Sequence, residues 1–241
     1  MASARLYASL IKPVRINLGS GERPLEGFIN VDALPDAPSV DVVTDISDVL
    51  PFESGSADLI YAAHLLEHFP TDAVPVMLKE WRRVLRDGGQ LLVAVPNLDV
   101  IAGMLVERRG WFTPPHAPWI GAIYGGQKDE YDFHKTGFTA PWLAHLLNEA
   151  GFGSVRQEGR FEEINIRDGS FAPLPFGENV SLNMRAVAGS SELIENGPDA
   201  SKAIFDLLDR ALMFGFEVST VARSRIMERR RRRIERRFDQ S

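Results

Sequence analysis

Ile16-Asn17-Leu18-Gly19-Ser20-Gly21 runs an apolar stretch into a glycine turn, and eleven residues beyond Gly21 the stretch Phe28-Ile29-Asn30-Val31-Asp32 ends in a carboxylate. Two glycines let the backbone come close to a ligand, because no Cβ intrudes and positive φ is tolerated. An acid at the tip of the following strand can accept hydrogen bonds from both hydroxyls of a ribose. The pattern reads as a nucleoside pocket at the carboxyl edge of a parallel sheet.

Spacing narrows the nucleoside. A dinucleotide fingerprint needs G-x-G-x-x-G with its acid about 20 positions further on. Here Pro24 stands at the third glycine and the acid arrives early. No G-x-x-x-x-G-K-[ST] is present, so a phosphate-cradling loop is excluded. A glycine turn without phosphate apparatus suits an adenosine that lacks a pyrophosphate, as in S-adenosylmethionine.

Further segments follow in order: Asp41-Val42-Val43-Thr44-Asp45-Ile46, a third strand ending in Asp45; Leu50-Pro51-Phe52 leading through Ser56 and Asp58 to Ile60; His64-Leu65-Leu66-Glu67-His68; a helix stopped at Asp87-Gly88-Gly89; and a strand ending in Pro96-Asn97. Over roughly residues 13–160 the chain resembles the class I S-adenosylmethionine-dependent methyltransferases, closest to a small bacterial group with a "GF-x-NVD" second strand. The resemblance implies a Rossmann-like α/β fold, a parallel sheet with an antiparallel closing strand, and S-adenosylmethionine as cofactor. It implies that Gly19, Ser20 and Gly21 meet the amino-acid end, Asp32 the ribose, and Asp45 with the Ile46 N–H the adenine. Ser20 stands where the family often has Cys, which leaves a turn that works through its backbone intact. Only six residues separate Gly21 from Phe28, whereas a parallel crossover with its helix needs at least about 10–12. The first helix should therefore shrink to about one turn, or the pairing there is unusual, with Arg23 or turn N–H groups meeting the methionine carboxylate.

Composition sets the outer limits. The 241 residues are 44% hydrophobic and contain no cysteine, so disulfides, iron–sulfur clusters and thiol nucleophiles are excluded. No apolar run reaches the length of a membrane span, and a cytoplasmic location is expected. From Arg223 onward nine arginines face Glu228, Glu235 and Asp239, so a tail of +6 and a body of −12 make up the net −6. An acidic body is not the profile of a nucleic-acid enzyme, and no nucleic-acid partner is expected.

Val76, Met77, Trp81, Val84 and Leu85 predict an amphipathic helix over 74–85, Gln90 to Val95 a doubly buried strand, and residues 98–109 another helix. Residues 110–138, dense in aromatics, glycine and proline, read as an irregular substrate lid; the blander reading is a surface insertion packing its own aromatics. Thr139 to Ala150 predicts a helix, with strands at 154–158 and about 180–188. The resemblance implies a methyltransferase domain over 1–190. Residues 198–241 predict an amphipathic helix with a basic tail that packs, dimerises or lies at the inner membrane face.

His64 and His134 are the candidate general bases. The former follows the fourth strand, and the latter lies in Asp132-Phe133-His134-Lys135-Thr136-Gly137-Phe138, which resembles a "D-x-H-K-x-G-F" stretch of the family. For His134 a structural hydrogen bond positioning the next helix is an equal reading. Asn97, Asp129, Tyr131 and Asp132 are candidate acceptor contacts. The mixture of aromatics, acids and histidines suits sugar rings, so O-methylation of a saccharide, glycan intermediate or other polar small molecule is expected, with no metal. Two alternatives stay open. The domain could bind S-adenosylmethionine as a non-catalytic partner module, or H-x-x-E-H over 64–68 could hold zinc for hydrolysis, which requires one continuous helix across the motif.

Overall fold

The computed structural model describes residues 12–37, 39–107, 118–164 and 179–189. All of them belong to the first of the two units into which the chain divides, Met1–Glu192. The helix and basic tail expected over 198–241 lie outside the described residues, as do residues 110–117 of the expected lid and the last two residues of the helix expected over 98–109.

Among the described residues the strands are β1 (Arg15–Leu18), β2 (Ile29–Asp32), β3 (Val42–Val43), β4 (Ala57–Ala63), β5 (Leu85–Pro96), β6 (Phe152–Glu158) and β7 (Ser181–Ala188). They form a single sheet in the order β3-β2-β1-β4-β5-β7-β6. β1 to β5 pair in parallel, and β7 runs antiparallel between β5 and β6. A short 3₁₀ turn (Leu66–His68) follows β4, and the helices are α1 (Val74–Val84), α2 (Leu98–Glu107), α3 (Pro118–Tyr124) and α4 (Ala140–Glu149). This is the expected Rossmann-like α/β architecture with its antiparallel closing strand.

Side chains alternate across a strand, and the inner strands use both faces. Ile60 and Ala62 of β4 with Leu91, Val93 and Val95 of β5 join one core with Met77, Trp81 and Val84 of α1 and Leu143, Leu146 and Leu147 of α4. Leu59 and Tyr61 with Leu92 and Ala94 face the other way and pack with Leu25 and Phe161. A strand apolar on both faces must be covered on both, which is why Leu91 to Val95 read as an unbroken apolar run.

Four local expectations are corrected. Val76 is 63% exposed, and the buried stripe of α1 runs through Val74, Met77, Leu78, Trp81 and Val84. The third strand is only Val42–Val43, because just Val31 and Asp32 of β2 offer it partners. β5 begins at Leu85 rather than Gln90, and its register against β4 shifts between Ala57 and Leu59. Residues 118–124 of the segment read as irregular form α3.

The connection from β1 to β2 carries no helix, yet the two strands pair in parallel, Ile16 opposite Ile29. Asn30 makes this feasible. Its Oδ1 accepts from the Leu25 N–H at 2.8 Å and from Asn17 Nδ2 at 2.9 Å, while its Nδ2 donates to the Leu25 carbonyl at 3.3 Å. One buried amide thus satisfies backbone groups that a helix would otherwise satisfy internally.

At the closing edge Arg185 of β7 is buried and donates to Glu158 at 2.7 Å, to Glu163 at 2.8 Å and to Gln90. Hydrogen bonds from Arg185 hold both carboxyls below their ordinary range. Folding therefore gains stability from them above the unfolded carboxylate pKa of about 4.3 and loses it as the pH falls through the folded values. Arg185→Met should cost about 3 kcal/mol at pH 7, the low end for breaking a buried ion pair, since Glu163 is 41% exposed. Urea midpoints measured from pH 7 down to 3 should fall less steeply in the variant than in wild type.

Candidate functional site

β1 has β2 on one side and β4 on the other, so the strand order reverses there: the chain runs outward through β2 and β3 and returns past β1 to β4. In an open parallel sheet the crevice at the carboxyl ends of two such strands is where ligands sit. Here β1 delivers the glycine turn and β4 delivers His64 to the same edge. Between them lies a cavity of about 520 Å³, lined by residues that include Asn17, Gly19, Ser20, Gly21, Tyr61 and His64. That volume is in the range of small-molecule sites.

The N–H groups of Gly19 and Ser20 both donate to the Val31 carbonyl, at 2.9 and 3.1 Å, folding the turn back over β2. Gly19 has φ of +67°, and a Cβ there would come within 2.8 Å of Leu65 Cδ1. Gly21, at φ of +48°, faces open space. Asp32 is buried; its Oδ2 accepts from the Gly21 N–H at 2.8 Å and its Oδ1 from the Leu34 N–H at 2.9 Å. The carboxylate thereby ties the turn to the tip of β2. Ser20 Oγ is buried without a hydrogen-bond partner, an orphan polar atom where a polar ligand would complete it. The turn and the orphan hydroxyl offer polar groups that fit the amino-acid end of S-adenosylmethionine, and the Asp32 carboxylate fits its ribose.

Asp32, Asp45 and Ile46 lie outside the cavity lining. Asp45 is exposed; bonds from the Ser47 hydroxyl at 2.7 Å and the Ser47 N–H at 2.9 Å hold its carboxyl below the ordinary range. Ile46 is buried in the larger core.

His64 follows β4 in the left-handed region, φ of +51°, which a histidine adopts uncommonly. That conformation turns the ring between two buried groups. Nδ1 is 3.2 Å from Glu67 Oε1, and Nε2 is 3.1 Å from Ser181 Oγ. Glu67 is only 1% exposed. Its backbone carbonyl accepts from the N–H groups of Lys135 and Thr136, at 2.7 and 3.1 Å, docking the segment before α4 onto the turn after β4. The continuous helix that zinc hydrolysis would need across 64–68 is not formed: His64 lies outside the 3₁₀ turn, so it and His68 share no helix face.

His134 stands apart from the glycine turn, lining a second cavity of about 220 Å³ with Pro96, Leu98, Ile101 and Tyr124. Its Nδ1 is 3.1 Å from the Ala122 carbonyl, and its ring meets that of His68 edge-on at 4.9 Å. Burial pushes its pKa below the ordinary value, opposed by the charge of Glu67.

The other acceptor candidates bind backbone. Asn97 is buried and bridges to Phe138, its Oδ1 3.5 Å from the Val100 N–H at the start of α2. Asp129 accepts from the Tyr131 N–H at 2.9 Å, and Asp132 from the N–H groups of Gly126 and Lys128 at 3.2 and 3.3 Å. Tyr131 is exposed. Two participants escaped sequence reasoning. Tyr61 shares a strand face with Ala63 and was legible from the alternation of β4. Ser181 lies 117 positions from His64, beyond any local pattern.

Residues 29–93, from β2 into β5, match a family model described as a methyltransferase domain. No protein of curated function matches the chain in sequence. Among solved structures, a SAM-dependent methyltransferase from Methanosarcina mazei aligns with a TM-score of 0.50 at 16% identity, covering 78% of this chain and 98% of that one. Human N-acetylserotonin methyltransferase in complex with SAM aligns at 0.45 and 17% identity, over 74% of this chain and 48% of that one. A chain from the complex of the Haloferax volcanii Trm112 methyltransferase activator with a methyltransferase aligns at 0.47 and 16%, over 78% and 89%. At 16% identity the Methanosarcina likeness speaks for the fold alone, and the domain match speaks for the chemistry. A methyltransferase-domain match over residues 29–93, on a sheet of this order, supports S-adenosylmethionine-dependent methyl transfer as the chemistry of the chain.

Proposed function

We propose that the chain transfers methyl from S-adenosylmethionine to a hydroxyl of a polar small molecule, with a saccharide or glycan intermediate as the acceptor class, and that His64 is the general base. The observation that carries this reading is the setting of the His64 ring. A carboxylate accepts only, so Nδ1 facing Glu67 holds the hydrogen and Nε2 keeps its lone pair. Nε2 already receives a hydroxyl, that of Ser181, as it would receive the hydroxyl of an acceptor.

Bound S-adenosylmethionine supplies a methyl group activated by its sulfonium leaving group. The remaining work of the protein is alignment and proton removal. The Gly19-Ser20-Gly21 turn holds the amino-acid end, assisted by Ser20 Oγ and by Arg23 at the cavity rim. Each Asp32 oxygen uses one lone pair on a backbone N–H and keeps another for a ribose hydroxyl. Asp45 and the Ile46 N–H meet the adenine. As His64 takes the proton at Nε2, the imidazolium that forms is balanced by Glu67. His134, turned to a backbone carbonyl, positions the segment before α4 rather than moving a proton. The exposed rings of Tyr124, Tyr131 and Phe133, beside Asp129 and Asp132, offer the apolar faces and acceptors that sugar rings use.

Calorimetric titration with S-adenosylmethionine tests the cofactor roles. Asp32→Ala should weaken binding by about 1–3 kcal/mol, the order of hydrogen bonds to a charged group. Gly19→Ala should weaken it as well, since the added methyl meets Leu65 and the φ is left-handed. Release of S-adenosylhomocysteine should then rise with saccharide acceptors and not with their hydroxyl-blocked derivatives. A folded protein that binds the cofactor and methylates no hydroxyl in a broad saccharide panel would sink the acceptor assignment.

A further inference from the structure

We infer that Glu67, His68 and His134 form a binding site for a divalent cation of the zinc type, joining the turn after β4 to the segment that leads into α4. Each of the three offers a ligand atom, and those atoms lie within 4.8 Å of one another. This set is not the H-x-x-E-H arrangement. It replaces His64 by a histidine 67 positions away in sequence from Glu67, brought in by the docking of Lys135 and Thr136 on the Glu67 carbonyl.

Three observations point to a ligand rather than to packing. First, Glu67 Oε2 and His68 Nδ1 are buried and have no hydrogen-bond partner. A buried polar atom left unsatisfied costs about 1–3 kcal/mol, so two at one place call for something between them. Second, the remaining atoms of two of these residues are already engaged in the manner of metal ligands. His134 Nδ1 faces a carbonyl, which can only accept, so the hydrogen sits on Nδ1 and the Nε2 lone pair is free. Glu67 Oε1 is hydrogen-bonded to His64, leaving Oε2 for the cluster. Ligating histidines characteristically give their other N–H to a carbonyl or carboxylate, and ligating carboxylates are themselves hydrogen-bonded. Third, the charge is unbalanced. Glu67 is almost fully buried, and the ion partner it has among the described residues is His64, a cation only when protonated. A buried carboxylate calls for a paired charge or a metal.

Two imidazole nitrogens and one carboxylate oxygen are a zinc ligand set that leaves a fourth position open. The two imidazole nitrogens favour borderline cations such as Zn²⁺ and Co²⁺ over hard ones. The site would clamp the lid segment to the β4 edge directly behind His64. A single buried water could satisfy the same three atoms, and metal titration separates the two.

The experiment uses the full-length protein, untagged, stripped with a chelator and dialysed. It is titrated with Zn²⁺ while thermal unfolding is followed, and with Co²⁺ while visible absorption is followed. One-to-one uptake, a raised melting temperature and a Co²⁺ ligand-field band are expected. His68→Ala and His134→Ala should each lose more affinity than the about 10–100-fold that removing an outer hydrogen-bond partner costs. His64→Ala should stay within that range, and His145→Ala, whose ring stacks on Trp142 in α4, should match wild type. Folded wild type that takes up no metal would mean a water-filled cluster and overturns the inference. So does metal lost with His64→Ala but kept with His134→Ala, which is the H-x-x-E-H pattern. If a ligand variant fails to fold, wild-type stoichiometry and the Co²⁺ spectrum still decide. The cofactor titration is read separately, so failure here leaves the methyl-transfer reading standing.

Discussion

His64→Ala should lower kcat by about 10²–10⁴-fold, the usual contribution of a positioned general base, while leaving the dissociation constant for S-adenosylmethionine within a few-fold of wild type. The split follows from where the ring sits. His64 borders the cavity after β4, whereas the turn proposed to hold the cofactor is built from Gly19 to Gly21 and is held by Val31 and Asp32. Losing the imidazole removes proton acceptance at Nε2 without touching that turn. Glu67→Gln should give an intermediate loss, because an amide can offer its N–H to Nδ1 and turn the ring to the tautomer that cannot accept at Nε2. Ser181→Ala should change little, since its hydroxyl only occupies the nitrogen the acceptor needs. Single-turnover rates at saturating cofactor, beside calorimetric affinities for the same variants, make the measurement. Equal loss of cofactor affinity and rate in His64→Ala would make the residue part of the cofactor cradle. A larger rate loss in His134→Ala would move the base to the lid.

Trp81→Ala should destabilise the fold by about 3–5 kcal/mol, the range for emptying a buried aromatic site. Trp81 lies on the inner face of α1, is 0% exposed and belongs to the core that α1 and α4 form against the sheet. That loss is a large share of the about 5–15 kcal/mol that holds most domains folded. For a chain of this length it corresponds to a fall in melting temperature of roughly 6–20 °C. Trp81→Phe should cost much less. The indole N–H has no hydrogen-bond partner, so its removal relieves an unsatisfied donor while the ring keeps most of the packing. Thermal and urea unfolding of both variants checks the pair. Similar losses for Ala and Phe would mean that the part of the indole that Phe does not replace carries the packing.

The parallel-sheet core was legible from sequence because its signals are local. Alternation or continuity of apolar residues marks a strand regardless of its partners, so Ile16 to Leu18, Leu59 to Ala62 and Leu91 to Val95 could be read directly. Two glycines and a terminal carboxylate mark a ligand edge for the same reason: the backbone conformation they permit belongs to the residue itself. Errors fell where a neighbour decides the outcome. Val76 has the spacing of a buried residue, but the face of α1 that meets the sheet is set by where α4 packs. The third strand stops at Val43 because β2 offers no further partner. The missing first helix is replaced by Asn30, whose role appears only once its amide is seen to reach Leu25 and Asn17 at the same time.

The order of motifs along the chain was thus sufficient for the fold class and the cofactor, since each rests on what a short segment can do alone. Assignment of chemistry to particular side chains needed the tertiary structure. Ser181 reaches His64 from β7, 117 positions further along the chain, and His134 reaches His68 from the segment before α4. Hydrogen-bond direction at an imidazole depends on which atoms surround it, and those atoms are chosen by how strands and loops pack rather than by the spacing of residues along the chain.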